Sequence, residues 1–284
     1  MMTNEINLHQ DELRSLTQEM LYTTVGDVPY AVVTWDSDEQ GRYTFEKFLC
    51  AQAALTPLTP EEFANLFNHL QSTEIQQAMQ ALLDLASQQL SSLTLYAFSV
   101  PDTTPIYGDM PPVDQEELGP PGIPVLIGFD GCHHIGLIPQ QSYAKPQAID
   151  ADELVEQFHT ISQDMLYDLG SSWRVKPEWV IVRTHTRDEL ILKLLTQAGY
   201  LTYESWDKFW RITERLAALD EGEERDDYLD MDMALRTHCQ SQLVDARIHT
   251  LQYVIGGEWY AVHYVLGYTN IRNVVGVMTS SFTF

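Results

Sequence analysis

Basic residues are scarce in this chain. Lys and Arg total 16 against 41 Asp and Glu, a formal net charge of −25 over 284 residues. Such a surface repels nucleic-acid phosphates and anionic lipid, so direct binding to DNA, RNA or a membrane is not expected. The shortage runs along the whole chain. Four basic and 19 acidic residues precede position 146 and 12 and 22 follow it, giving −15 and −10. Cysteine is equally sparse. Cys50, Cys132 and Cys239 are odd in number, far apart and form no CxxC, which argues against a disulfide framework and for a reducing, cytoplasmic setting.

Other signals are missing too. No run of about 18 apolar residues occurs, so no transmembrane helix is expected. The opening MMTNEINLHQDELRSL lacks the basic-then-apolar order of a leader peptide. There is no GxSxG, HExxH, P-loop or GxGxxG with suitable flanks. Nothing in the chain assigns a cofactor or a metal.

Apolar residues make up 44% of the chain, enough for a real core. Ile123–Pro139, IPVLIGFDGCHHIGLIP, sets two apolar runs around a Phe-Asp-Gly turn, a hairpin signature. Val262–Met278, VHYVLGYTNIRNVVGVM, echoes it. Gly128 and Gly267 end the first runs, and Gly136 and Gly276 lie inside the second ones.

The rest can be read against that echo. Residues 1–8 read as a loose tail and Asp11–Tyr22 as a helix with Leu13, Leu16, Met20 and Leu21 on one stripe. Val28–Trp35 reads as a strand, Asp36–Arg42 as a turn and Tyr43–Leu55 as a helix. Thr59, Pro60 and Glu62 give a capped helix start. A second helix runs from Ser72 or Thr73 to Leu90, and Leu93–Val100 is a strand. Pro101–Pro121, with six prolines, is the long irregular stretch. After a linker at Gln140–Gln147 the order recurs. Asp152–Leu169 is a helix, Trp179–Thr184 a strand and Asp188–Ala198 a helix closed by Gly199. Helices at Ser205–Leu219 and Met231–Asp245 and three closing strands follow. Met20-Leu21-Tyr22 matches Met165-Leu166-Tyr167.

The shared order reads as a duplication. The expected class is α+β: two tandem modules, 1–143 and 144–284, each a mainly antiparallel sheet with helices packed on one face. Edge-to-edge pairing of the sheets would give a pseudo-two-fold monomer or a homodimer.

Candidate chemistry is thin. Cys132, His133 and His134 with Asp130 offer ligand and acid–base side chains, but at a hairpin turn where polar residues are ordinary. His185 lies in RTHTRDE between a strand and a helix, where Thr186 and Glu189 spell a capping box. His238, Cys239 and His249 have no zinc spacing. Leu219–Asp232 holds eight carboxylates and one Arg and reads as a solvated acidic loop, without EF-hand spacing. Trp206 and Trp210, four apart, share a helical face that suits either a core or a partner surface.

Three function classes remain open. The leading one is a non-enzymatic adaptor, inhibitor or chaperone that binds a basic protein partner. Glu221, Glu223, Glu224, Asp226 and Asp227 would steer that partner, and Trp206 and Trp210 would anchor it. The others are a DNA-mimicking inhibitor of a nucleic-acid-binding protein, and an enzyme with dispersed residues Asp130, His133, His134 and His185.

Overall fold

A computed structural model describes residues 3–18, 20–23, 27–66, 73–100, 122–141, 153–162, 179–210, 223–255, 258–270 and 272–283. The Pro-rich stretch 101–121, the proposed linker beyond 141, the Met165-Leu166-Tyr167 match, Glu221 and residues 211–222 fall outside that set.

The chain opens with helix α1 (Thr3–Thr17) and a small hairpin, β1 (Leu21–Thr23) with β2 (Asp27–Pro29). Residues 3–8 are therefore helical, not a tail, because Ile6 extends the buried stripe of Leu13 by two turns. β3 (Ala31–Trp35), the short α2 (Ser37–Gln40) and α3 (Phe45–Ala51) follow. Next come β4 (Leu55–Leu58), α4 (Pro60–Ala64), α5 (Thr73–Gln89) and β5 (Ser91–Phe98). The hairpin β6 (Ile123–Phe129) with β7 (His134–Pro139) completes the first series. The second runs α6 (Glu153–Ser162), β8 (Trp179–Thr184), α7 (Arg187–Gln197), β9 (Leu201–Glu204) and a helical segment α8 at 206–210. It ends with α9 (Glu223–Gln242), β10 (Val244–Ile255), β11 (Glu258–Tyr268) and β12 (Val274–Thr283).

Two five-stranded antiparallel sheets result, ordered β4-β5-β6-β7-β8 and β9-β10-β11-β12-β3. Each takes one edge strand from the other series: β8 pairs with β7, and β3 pairs with β12. A cut between 143 and 144 thus passes between two paired strands. The chain crosses from one sheet to the other twice, through α3 between β3 and β4 and through α7 between β8 and β9.

That crossing explains the layers. α3 and α7 pack together between the sheets, where Phe48, Leu49, Leu190 and Leu194 meet Phe98 and Ile138 of one sheet and Val262 and Tyr264 of the other. On the outer face of the first sheet, α4, α5 and α6 bury Phe63, Met79, Leu82 and Phe158 against Leu126, Leu137 and Trp179. On the outer face of the second, α1, α8 and α9 bury Leu13, Phe209, Trp210 and Leu235 against Val265, Val275 and Val277. Helices thus cover one face of each sheet from outside, and the crossover pair fills the other. Val180 and Val182 enter the middle layer while Trp179 and Ile181 enter the outer one, so β8 is buried on both sides. Each fully buried Leu or Phe is worth about 1.5–3 kcal/mol on transfer.

Local chemistry sets the ends. Thr59 accepts from the Glu62 N–H while Glu62 accepts from the Thr59 N–H at 2.7 Å, a complete capping box on α4. Gly199, at φ +85°, closes α7. The box read at Thr186 is not made: its side chain caps nothing, and Thr184 Oγ1 donates to the Thr186 carbonyl instead.

Several details recur between the two series. Ala53 after α3 and Gly199 after α7 both have positive φ. Their amides donate to the Cys50 and Thr196 carbonyls, and the next amides to Leu49 and Leu195. Ser92 at the start of β5 and Asp245 at the start of β10 both sit at φ +53°, beside register shifts in the ladder. Leu90 and Leu243 end the preceding helices over Gly128 and Gly267, where a Cβ would lie 2.7 and 2.6 Å from the leucine Cβ.

Candidate functional site

Three of the four enzyme candidates meet beside the β6–β7 turn, Asp130 and His133 within it and His185 from the end of β8. Asp130 Oδ1 accepts the amides of Cys132 at 2.8 Å and His133 at 2.6 Å, and the Asp130 amide donates to the His133 carbonyl. Asn270 makes the same pair of bonds to Arg272 and Asn273 in the β11–β12 turn. The Asp130 carboxylate is therefore committed to a turn that the second hairpin builds with an amide. Burial would raise its pKa, but the His133 and Cys132 amides and the Arg183 charge hold it below the ordinary value.

Around it, the His133 and His185 rings stand 5.0 Å apart, and Asp130 Oδ2 lies 3.9 Å from both His133 Nδ1 and Arg183. His134 goes elsewhere, packing on Phe129 at 5.1 Å. Asp130, His133 and His185 thus share a corner without a hydrogen-bonded relay between the two imidazoles.

A histidine that the sequence reading did not single out holds a better-formed array. His263 on β11 shares a 2.9 Å hydrogen bond with Thr250 Oγ1 through Nδ1 and one of 2.8 Å with Ser281 Oγ through Nε2. A Ser–His pair can support acyl transfer. Here the ring is buried beside Phe209, 5.3 Å away, and burial pushes its pKa down to about 3. An imidazole that weakly basic is a poor proton acceptor, and both nitrogens serve to tie three strands together.

The partner-binding candidates divide. Trp210 is buried against Phe209, with ring centroids 4.9 Å apart, and Trp206 packs beside them on the same core. Trp210 is thus a core residue, not a surface anchor, because α8 turns that face onto the second sheet. The acidic stretch is corrected as well. Residues 223–232 form the first half of α9 instead of a loop. Glu223, Glu224, Asp226 and Asp227 lie in its first two turns, where negative charge complements the helix dipole.

The chain matches no family model, no curated protein and no solved structure. Its reading rests on its own residues.

Among the described residues, one trio comes within reach of a metal ion: His9 and Glu12 on α1 and His238 on α9, with ligand atoms within 4.8 Å of one another. His9 and Glu12, three apart, share a face of α1, but the sequence reading starts that helix at Asp11 and leaves His9 outside it. His238 stands beside Cys239 without zinc spacing, and nothing local in the sequence shows that α9 docks on α1. Cys239 itself is buried, which pushes its thiol up to about 12 and keeps it from nucleophilic work.

Proposed function

We propose that this chain is a non-enzymatic, acidic interaction protein of the adaptor, inhibitor or chaperone type, which binds a basic protein partner. The observation that carries the reading is how the cations are used. Arg14, Arg42, Arg183, Arg187, Lys193, Lys208, Arg236 and Arg247 each lie 2.6 to 3.9 Å from a carboxylate of the same chain. These eight cations are matched within the chain, and carboxylates outnumber all 16 Lys and Arg by 25. A field of one sign attracts a partner of the other, raising its association rate and excluding acidic competitors.

The histidine sites favour this reading over an enzyme. Asp130 serves a turn and His263 a strand seam, both structural uses. Charge of this sign also argues against direct nucleic-acid binding. Three free cysteines support a reducing, cytoplasmic setting. The recurring turn after α3 and α7, the paired bulges and the Asp130 and Asn270 turns support descent of both series from one module.

Affinity purification from the native host tests the function, with low-salt capture and high-salt elution analysed by mass spectrometry. A Lys- and Arg-rich protein released by salt is expected. Capture that enriches no basic protein would overturn the reading.

A further inference from the structure

We propose that His9, Glu12 and His238 form a binding site for a borderline-soft divalent cation of the Zn2+ class, bridging α1 and α9. Two imidazoles and one carboxylate are a recurrent zinc donor set, usually completed by a fourth, exchangeable position. Tetrahedral zinc with bonds near 2.1 Å places its ligand atoms about 3.4 Å apart. Glu12 Oε1 and His238 Nδ1 are already 3.4 Å apart. Since all three ligand atoms lie within 4.8 Å of one another, His9 must close by at most about 1.4 Å, within reach of small χ adjustments.

A second observation points to a ligand independently of that spacing. The His238 side chain is only 4% exposed. Its Nε2 is buried without a hydrogen-bond partner, and so is Nδ1 of His9. Buried polar atoms nearly always have a partner. Here two orphaned imidazole nitrogens occur in rings whose centroids are 5.6 Å apart. A cation held by Glu12 Oε1, His238 Nδ1 and His9 Nδ1 would give the orphaned His9 nitrogen its partner, while His238 Nε2, on the other side of its ring, is not a ligand in that arrangement.

The donor set selects among cations. Mg2+ and Ca2+ prefer all-oxygen shells, whereas imidazole suits zinc and its transition-metal neighbours. Loose Mg2+ binding to surface carboxylates would therefore not compete for this site. Occupied, the site clips a helix near the start of the chain to the helix that carries Glu223–Asp232. Both helices cover the outer face of the second sheet.

The test is titration of the full chain with Zn2+ in excess Mg2+, by calorimetry and by thermal unfolding. Wild type is expected to take up one Zn2+ and to gain in melting temperature, because a ligand that binds only the folded state stabilises it. Glu12→Gln, at a half-exposed position where folding is undisturbed, should bind at least about tenfold more weakly, and His9→Gln likewise. Co2+ should give the visible spectrum of a nitrogen-and-oxygen site in wild type and lose it in Glu12→Gln. Absence of Zn2+ uptake by wild type would overturn the proposal. So would equal affinity in wild type and both variants, which would mean adventitious binding to the acidic surface.

Discussion

Arg187 grips Glu46 with both ends of its guanidinium, Nε donating to Oε2 at 3.0 Å and a terminal nitrogen to Oε1 at 2.7 Å. The pair joins the first residue of α7 to α3, so it locks the two crossover helices together in the middle layer. Tyr96 on β5 donates to the same carboxylate. Burial would raise the Glu46 pKa, but the hydrogen bonds from Arg187 and Tyr96 outweigh it and hold the pKa below the ordinary 4.5. A folded-state pKa below the unfolded one means that the unfolded chain binds the proton first. This stabilisation is thus complete above about pH 4.5 and lost as the pH falls through the folded value. Glu46→Gln should cost about 1.5–3 kcal/mol at neutral pH, toward the lower figure because the Arg187 side chain is 34% exposed. The variant should also lose less stability on acidification than wild type. Urea midpoints at pH 7 and pH 3.5 check both.

His249 predicts a dependence at higher pH. It stacks on Phe45 at 5.1 Å, its Nδ1 is buried without a partner, and burial lowers its pKa to about 4. The unfolded chain therefore protonates first, and stability should fall between the ordinary 6.5 and about 4. The slope for one such group reaches at most about 1.4 kcal/mol per pH unit. His249→Phe keeps the stacking and removes the titration, so its stability curve should be flatter over that range.

The glycine contacts make a packing prediction. Gly128→Ala and Gly267→Ala each drive a Cβ into the leucine that ends the preceding helix. Each should cost about 1–3 kcal/mol by overpacking. Adding Leu90→Gly to Gly128→Ala removes the clashing Leu90 Cβ together with the branch beyond it, so the double variant should be more stable than the sum of the singles predicts. Chemical denaturation of the four proteins decides it.

Ala53 holds φ at +57° where α7 uses Gly199. A left-handed alanine is strained, so Ala53→Gly should stabilise the protein by about 0.5–1 kcal/mol after the entropy of the unfolded glycine is counted. A lower melting temperature for the variant would contradict this.

Much of this framework was legible in the sequence, and the exceptions share a cause. Phe129-Asp130-Gly131 between apolar runs marked the β6–β7 hairpin, and Thr59-Pro60 with Glu62 marked α4, because turn and cap chemistry are local. β4 and β9 were missed. Each is a four-residue edge strand, and Pro57 made β4 look unlike one, although an edge position tolerates proline. Their existence depends on pairing with β5 and β10. The exchange of β3 and β8 between sheets is likewise a matter of tertiary packing. In the candidate metal site, the extension of α1 back past His9 and the approach of His238 both rest on how α1 and α9 pack on the second sheet.

The most direct test of the interaction reading is the association rate of the purified partner over a salt series, with wild type and with the variant carrying Glu221→Gln, Glu223→Gln, Glu224→Gln, Asp226→Asn and Asp227→Asn. Steering by charge acts mainly on association and fades as the Debye length shrinks toward about 3 Å at 1 M salt. The account predicts slower association for the variant at low salt, convergence of the two rates at high salt, and nearly equal dissociation throughout. Equal association rates at every salt concentration would contradict it and leave the acidic start of α9 as a feature of helix stability and solubility alone.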